Sequence, residues 1–590
     1  MTFRLFAIRK IGVRVGWGQM RARRQLLSLL ATVLIAGCTP GPQATEPGPG
    51  STSASAPSTP KSITVATLIS VASFGPWDLG QSASGGLVSM VEIHANGLVS
   101  NDAQGNRVPR LAARLPSVDD GTVVLLPDGR MRTTWPLRSD VRWHDGAPFV
   151  ADDLVFSWRV FTDPTLPVRP LNQIALIESV EAPDTHTLVM TWRSPYYRAL
   201  ELGLRELYPY PSHLLAETFA ADKQAFETHP YWTSGYVHLG PFRLVDFGLG
   251  ENVVFERFDG YFLGRPRADR VVLRAISDTN TLFANLRAGS VDVAAERTLP
   301  SDLAAQLREE WASSGGGVVV VKPDNWRYVL VQFNPEWGRP VELGRDPRAR
   351  RGLLYGMDRD GIRELVLPGF SDTESDSFLW KSDPRSATVG QPFARYTHDP
   401  TRAAQELAAV GWRLSDGGLI NAAGERVRIE IRGGQVDSKE IAFIANGWRQ
   451  LGVEVSESIS SAALNDRESS ATFPGVRTFS RGSGDEIFPT FDSRQQATAQ
   501  NRFIGTNVSS YGNTSLDALI DRLYATLDRQ DQGRVLQQMG EVLADDLPAL
   551  PTYFRVSPAA VGRGVRALED YTGSIGPGYA SRNAHLWDRP

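Results

Sequence analysis

The chain has 590 residues, 42% of them hydrophobic and 22% charged, with a formal net charge of −4. That is the composition of a globular protein, and the length exceeds what one simple core takes, so two or three domains are expected. Seven basic residues (Arg4, Arg9, Lys10, Arg14, Arg21, Arg23 and Arg24) and no acid fall within residues 1–37. The remainder stands at 55 basic against 66 acidic residues, a net of −11 that argues against general nucleic-acid binding.

Leu26 to Ala36 is an apolar run too short to span a bilayer as a helix. Behind its basic flank it reads as the core of a signal peptide over residues 1–37. The run ends Ile35-Ala36-Gly37-Cys38, which resembles a bacterial lipobox, and Cys38 is the single cysteine of the chain. Lipidation of Cys38 is the reading; a chance cysteine beside a small-residue cleavage site is its rival. Met20 is an alternative start, and Arg23-Arg24 reads either as a twin-arginine signal or as two ordinary basic residues. With Cys38 acylated, no disulfide forms within the mature chain. The segment 38–61 is a Pro/Ser/Gly/Thr tether, able to reach roughly 60–70 Å at about 3 Å per residue.

The folded part begins with an alternating strand, Ile63–Leu68, and Val88–Val99 reads as a helix and its exit. Asp145-Gly146 makes a turn, and Asp152 and Asp153 occupy the first turn of a helix whose buried face is Leu154, Val155, Trp158 and Phe161. Val150 stands at the cap position, which costs the helix about 1 kcal/mol unless another group caps it. His144 has no His or Cys at ligand spacing and reads as a turn-stabilising residue. Phe242–Phe247 and Val253–Arg257 form a hairpin. Val271–Ile276 is a buried strand, Asp278-Thr279 start a helix with Leu282, Phe283 and Leu286 inward, and Gly289 ends it. Val291 and Val293 resume an extended pattern, so the unit reads as a sheet edge.

Gly315-Gly316-Gly317 leads into the strand Val318–Val321 and is no phosphate loop, and Tyr328–Asn334 is the next buried strand. Arg428–Arg432, the helix Ile441–Leu451 and Val453–Val455 make a second βαβ set and a second α/β lobe. Thr514–Leu547 is helical, with Thr514-x-x-Asp517 as a capping-box pattern.

Several of these segments carry fixed spacings. They include Leu137-Arg138…Val141-x-Trp143-His144-Asp145-Gly146-x-Pro148-x-Val150-Ala151-x-Asp153, Gly240-Pro241-Phe242-Arg243, and Tyr261…Gly264-x-Pro266. Further on come Ala288-Gly289-x-x-Asp292, Phe333-Asn334, Asp358-Arg359, and Arg534 with Pro548 and Pro551. Together they resemble the extracytoplasmic solute-binding proteins of the peptide/nickel type, family 5, from about residue 63 to 556. Phe262 takes the place of a family tryptophan and Asp259 stands near a family asparagine.

The resemblance implies an α/β fold of periplasmic-binding-protein type II, two lobes with a hinge and an extra subdomain on lobe one. The expected boundaries are 62–332 for lobe I (extra subdomain about 100–235), 333–555 for lobe II, and 556–590 for a return to lobe I. The implied function is capture of a peptide or peptide-like solute in the cleft and delivery to ABC permease subunits. It implies a monomer, lipid-anchored outside the cell membrane, with no cofactor, metal or nucleic acid. The family often carries an aspartate that pairs with the ligand's amino terminus near a tryptophan. The corresponding stretch, Thr478–Glu486, lacks that tryptophan and offers Asp485 as the approximate counterpart. Arg481 and Phe479 belong to the same stretch, and Phe333 and Asn334 are hinge and cleft-edge candidates. Trp326 and Trp380 are candidates for the cleft wall, with core as the competing reading. No nucleophile elbow, His-Glu-x-x-His or Walker A loop occurs, and Ser58-x-x-Lys61 lies in the tether. The rivals are an exported two-lobe enzyme and a sensor or chaperone that binds without transport.

Overall fold

In the computed structural model, which describes residues 60–76, 86–102, 106–168, 172–248, 252–370, 373–460, 466–482, 484–568 and 580–590, the first alternating run forms β1 (Ser62–Thr67). The signal segment, Cys38, Ser58 and all but the end of the tether lie outside the described residues. Chain order then gives β2 (Val123–Leu125), β3 (Met131–Pro136), α1 (Ala151–Thr162), β4 (Ile177–Asp184), β5 (Thr187–Trp192) and α2 (Ser212–Ala221). The four strands form an antiparallel sheet in the order β2-β3-β5-β4, and α1 packs against β4.

The group that rescues the helix start at Val150 is Asp153. Its carboxylate accepts the backbone N–H of Val150 at 3.1 Å, the reciprocal half of a capping box. The same carboxylate accepts from Trp143 Nε1, from Ser212 N and from Ser212 Oγ, which ties α1 to α2. His144 is buried with both ring nitrogens engaged, one with the carbonyl of Gly240 and the other accepting from His238 N. Burial pushes its pKa down to about 4, so it serves as a neutral turn residue.

The chain continues through the hairpin β6 (Phe242–Phe247) and β7 (Asn252–Arg257), then β8 (Arg270–Ala275), α3 (Thr279–Ala288) and β9 (Val293–Ala294). Asp278 caps α3 by accepting from Thr281 N, and Gly289 closes it in the left-handed region at φ 69°, where a Cβ is disfavoured. Asp292 accepts the N–H of Thr64 at 2.8 Å and pairs with Arg589 at 3.1 Å, which pins β1 and the C-terminal segment to this unit. The expectation of a sheet edge is corrected here. β1 inserts between β8 and β9, parallel to both, so the unit lies inside the sheet.

After α4 (Ser301–Ser314) comes the long strand β10 (Gly317–Val331). Then follow α5 (Pro347–Tyr355), α6 (Arg359–Val366), α7 (Pro400–Val410), β11 (Arg428–Gly433), α8 (Ser438–Gln450), β12 (Glu454–Ile459) and β13 (Val476–Arg481). α9 (Thr514–Ala525) and α10 (Arg529–Asp546) make up the expected helical region, and β14 (Ala549–Gly562) is the last strand of the sheet in chain order. The cap of α9 is Asn513, which accepts from Ser515 N and Leu516 N. The expected partner Asp517 is instead taken by the backbone and hydroxyl of Ser493.

One 10-stranded sheet runs through the molecule in the order β12-β11-β13-β10-β14-β9-β1-β8-β7-β6. Its two halves are both α/β, as expected from two βαβ sets. β10 and β14 are antiparallel and belong to both halves: Gly317–Lys322 pairs with Gly562–Ser557, and Trp326–Leu330 pairs with Phe554–Ala549.

Candidate interlobe site

The two halves of β10 have different neighbours. Its first half lies beside only β14 and carries α4, whereas Trp326–Val331 also pairs with Arg481–Val476 of β13. Between them the register against β14 shifts at Pro323/Trp326, and it shifts again at Arg327/Tyr328. Asp324 sits in the first break, accepting from Ser557 Oγ at 2.9 Å and pairing with Arg297. A bulge in two long strands gives the backbone a local place to bend while the flanking ladders stay intact.

Beside this crossing, residues from the β2–β5 subdomain meet residues of the second half. Pro195 ends the extended chain after β5, and the turn Tyr197–Leu200 follows. Glu201 accepts from Arg107 at 2.7 Å and from Arg198 Nε at 2.8 Å. Burial opposes ionisation of Glu201, but Arg198 and Arg107 together hold its carboxyl below the usual range. Arg198 also reaches Glu486 at 3.6 Å. Tyr524 of α9 stacks on Tyr197, with ring centroids 6.1 Å apart and 16° between planes, and meets Tyr196 edge-on at 5.8 Å.

On the opposing wall, Arg385 is held by Asp383 at 2.8 Å and donates to Asp485 Oδ1 at 3.1 Å. Gly484, at φ 70°, turns the chain so that Asp485 points inward. The Asp485 side chain is 11% exposed. Burial, followed by repulsion from Glu486, pushes its pKa up to about 7, against the pull of Arg107 and Arg529. Burial likewise raises Glu206, which accepts from Gly203 N.

A second ionic group lies under the sheet, on β10 and β14. Arg327 bridges Asp437 at 2.7 Å and Glu440 at 2.8 Å, with side chains 4%, 7% and 1% exposed. Arg555 adds a contact to Asp437 at 3.0 Å, Tyr553 donates to Glu440, and Thr478 and Gly434 N donate to Asp437. Although burial works the other way, Arg327 and then Arg555 hold the Asp437 carboxyl below its ordinary value.

The sequence candidates fall into three groups. Phe479, Arg481 and Asp485 belong together: Arg481 lies over the Phe479 ring at 5.8 Å, at the end of β13 that leads to Asp485. Trp326 is wholly buried; its Nε1 donates to Ser375 Oγ, and its ring packs on Tyr328 and Phe393. Trp380 is half-buried, edge-on to Phe554 at 5.1 Å. Phe333 and Asn334 lie past the end of β10, beyond the register break. Phe333 is held between Arg350 and Tyr511, and Asn334 Oδ1 accepts from Glu336 N.

Sequence reasoning missed Arg198, Glu201, Arg385 and the tyrosines 196, 197 and 524. The doublet Tyr196-Tyr197 after Pro195 is a visible signal, but nothing local to it points to Tyr524. Among the described residues, no group of three or more His, Cys, Asp or Glu side chains is placed to hold a metal ion. No helix among them is long and apolar enough to cross a membrane.

Residues 108–493 match the family model described as bacterial extracellular solute-binding proteins, family 5, middle region. The chain belongs to this family. Within it, the chain is similar to the oligopeptide-binding protein AppA of Bacillus subtilis (strain 168), with 22% identity over 72% of this chain and 76% of that protein. Among solved structures it resembles the oligopeptide-binding protein of Thermus thermophilus complexed with a pentapeptide. There the TM-score is 0.66 at 21% identity, over 90% of this chain and 96% of the other. It also resembles NikA of Brucella suis in complex with Fe(III)-EDTA, with a TM-score of 0.68 at 18% identity, over 90% of this chain and 100% of that one. The two-lobe α/β architecture expected from the sequence is therefore the architecture of this solute-binding family.

Proposed function

We propose that this family 5 protein is the capture component of an ABC importer, taking a peptide or peptide-like solute between its lobes. The single observation that carries the reading is the arrangement at β10 and β14. Two long strands join both halves and shift register at Pro323/Trp326 and again at Arg327/Tyr328, and aromatic and charged side chains from distant segments of the chain are in contact. Such a joint lets the lobes rotate, and a solute that touches both walls stabilises the closed arrangement through its differential affinity. The hinge in this proposal is at 323–326 and 555–557, rather than at Phe333. Asp485, Arg481 and Phe479 form one wall, and Tyr196, Tyr197 and Arg198 the other; Trp326 supports the first wall from within the core.

Relatives support a peptide or similarly sized solute: the Thermus protein is complexed with a pentapeptide, and NikA with Fe(III)-EDTA. In this proposal the protein works as a monomer, held outside the membrane by acyl chains on Cys38 and handing its cargo to permease subunits. Native mass spectrometry of the protein isolated from its own cells tests the reading, with a retained solute of peptide size as the expected result. A protein that carries no adduct and captures nothing from a peptide digest contradicts it. The anchor is tested separately: Cys38→Ser moves the protein from the membrane fraction to the soluble one, and an unchanged distribution rules the anchor out.

A further inference from the structure

Three histidines that take no part in the proposed capture site meet in one buried cluster. His94 follows the short 3-10 helix Val88–Ile93, His144 sits in the Asp145-Gly146 turn of the β2–β5 subdomain, and His238 precedes the hairpin β6–β7. Backbone bonds knit the three together: His144 N donates to the carbonyl of His238, and Gly240 N donates to the carbonyl of His94. Their rings fill the seam between the subdomain and the sheet. His94 stacks on Phe255 of β7 at 5.2 Å with 7° between planes, and it meets Phe74 edge-on. His238 packs on Tyr208 and Trp143 of the subdomain, with centroids 4.6 and 5.5 Å away. His144 meets Phe258 at 5.2 Å.

The hydrogen bonds are those of neutral rings. His144 Nδ1 accepts from His238 N at 3.1 Å while its Nε2 donates to the Gly240 carbonyl at 2.9 Å. His238 Nδ1 accepts from Leu239 N at 2.8 Å. A ring nitrogen that accepts a backbone N–H has no lone pair left for a proton, so charging either ring breaks a bond that holds the cluster. His94 Nδ1 lies 2.8 Å from the Tyr236 hydroxyl, which is itself 2.6 Å from that of Tyr208. Two charged groups face His144: Arg243 opposes a proton there and Asp145 favours one, but the Asp145 carboxylate is 2.8 Å from His213 Nε2. Asp153 is occupied by Trp143 Nε1 and Ser212, and burial keeps the hydroxyls of Tyr208, Tyr210, Tyr231 and Tyr236 protonated. Burial, and then His144, push His94 down to about 3; burial, and then His94 and His144, push His238 well below its ordinary value. Solvated imidazoles take up protons near pH 6.5, so acid favours any arrangement in which the cluster is open.

We propose that His94, His144 and His238 form an acid-released clasp between the β2–β5 subdomain and the sheet, and that its opening in acid surroundings lets the captured solute go. The clasp stands on the cluster alone. The release rests on the receptor reading, because the subdomain carries Tyr196, Tyr197 and Arg198 of the proposed wall. The folded values lie below the ordinary one, so the contribution of the clasp is complete above about pH 6.5 and falls away toward pH 4. The variant that tests it is His144→Asn with His238→Asn, in which an amide oxygen stands in for Nδ1 and takes no proton. Urea denaturation of the full chain between pH 7 and 4.5 compares it with the parent protein, a difference from which Asp485 and the other shared carboxylates drop out. Below pH 5.5 the unfolding constant of the parent is expected to rise up to about a hundredfold more per pH unit, roughly tenfold for each imidazole. His94→Asn alone, expected to remove about tenfold, gives the same reading where the double variant does not fold. In a second arm both proteins are loaded with a tryptic casein digest at pH 7.5, freed of unbound material and held at pH 4.5. Native mass spectrometry is expected to find the parent depleted of solute tenfold or more and the variant still loaded. Equal pH dependence of unfolding in the two proteins overturns the clasp, and equal loss of solute from both overturns acid release. A parent protein that takes up nothing at pH 7.5 overturns the receptor reading, and the urea arm still decides the clasp.

Discussion

Two ionic groups lie at either end of the same joint and are built on opposite terms. Around Arg327, the central arginine and its two carboxylates are buried and met from several sides: a second, partly exposed arginine, a tyrosine, a threonine and a backbone N–H complete the set. Around Asp485, the charges come from segments far apart in the chain, one contact stretches to 3.6 Å, and burial raises the pKa of the central carboxyl to about 7. The first group makes β10, α8 and β14 one rigid body. In the proposed closure the second group forms as the lobes meet, and its energy counts toward closure. Saturated buried charge marks what must not move, and unsaturated charge between lobes marks what must.

The strongest way to break this comparison is to remove Arg327. Arg327→Met leaves Asp437 and Glu440 without their main counter-charge and is expected to cost about 3–5 kcal/mol of stability, read by urea denaturation. A loss under 1 kcal/mol would put the two groups on the same footing. Next in size is a pH effect at Asp485. Its folded pKa of about 7 stands above the ordinary carboxylate value, so the folded protein takes up a proton that the unfolded chain releases between these limits. Stability of the native protein relative to Asp485→Asn therefore rises on acidification from pH 7 toward 4, with a slope approaching about 1.4 kcal/mol per pH unit. It is flat above pH 8 and below pH 4. A difference independent of pH across this window contradicts the assignment.

Tyr524→Ala removes the ring that Tyr196 and Tyr197 share. It is expected to take about 1 kcal/mol from the closed state, close to fivefold in apparent affinity. Unfolding of the second lobe should move far less than solute capture does, and equal losses in both would mean the ring serves folding. The smallest effect is expected from Glu486→Gln. That side chain is 42% exposed, and stability should stay within about 0.5 kcal/mol while the salt dependence of capture weakens.

The legible part of the molecule is the part decided by neighbours in sequence. Asp278 and Gly289 announce both ends of α3, and the alternation around it announces β8. Val150 is a poor cap by residue type alone, and its remedy, Asp153, stands three residues on. Interior placement of the β8–α3–β9 unit is not legible, because β1 arrives from far upstream to separate the two strands. The site divides along the same line. Arg481 and Asp485 stand out because they fall where the family pattern breaks. Arg385 lies 100 residues from Asp485, and no local rule couples them. The level of the register shift is marked in the sequence by Lys322-Pro323-Asp324-Asn325, which interrupts two apolar runs, but composition alone reads these as two strands and not as one strand with a bulge.

The most direct test of the central claim is a distance across the joint. Leu125 and Val436 are exposed and lie in opposite halves, so nitroxide labels at Leu125→Cys and Val436→Cys, with Cys38→Ser, report lobe separation by double electron–electron resonance. Closure on a solute predicts a broad or long distribution in the stripped protein that shifts to one shorter distance when a peptide digest is added. A distribution identical with and without the digest, in protein shown by mass spectrometry to have captured a component of it, would contradict the account.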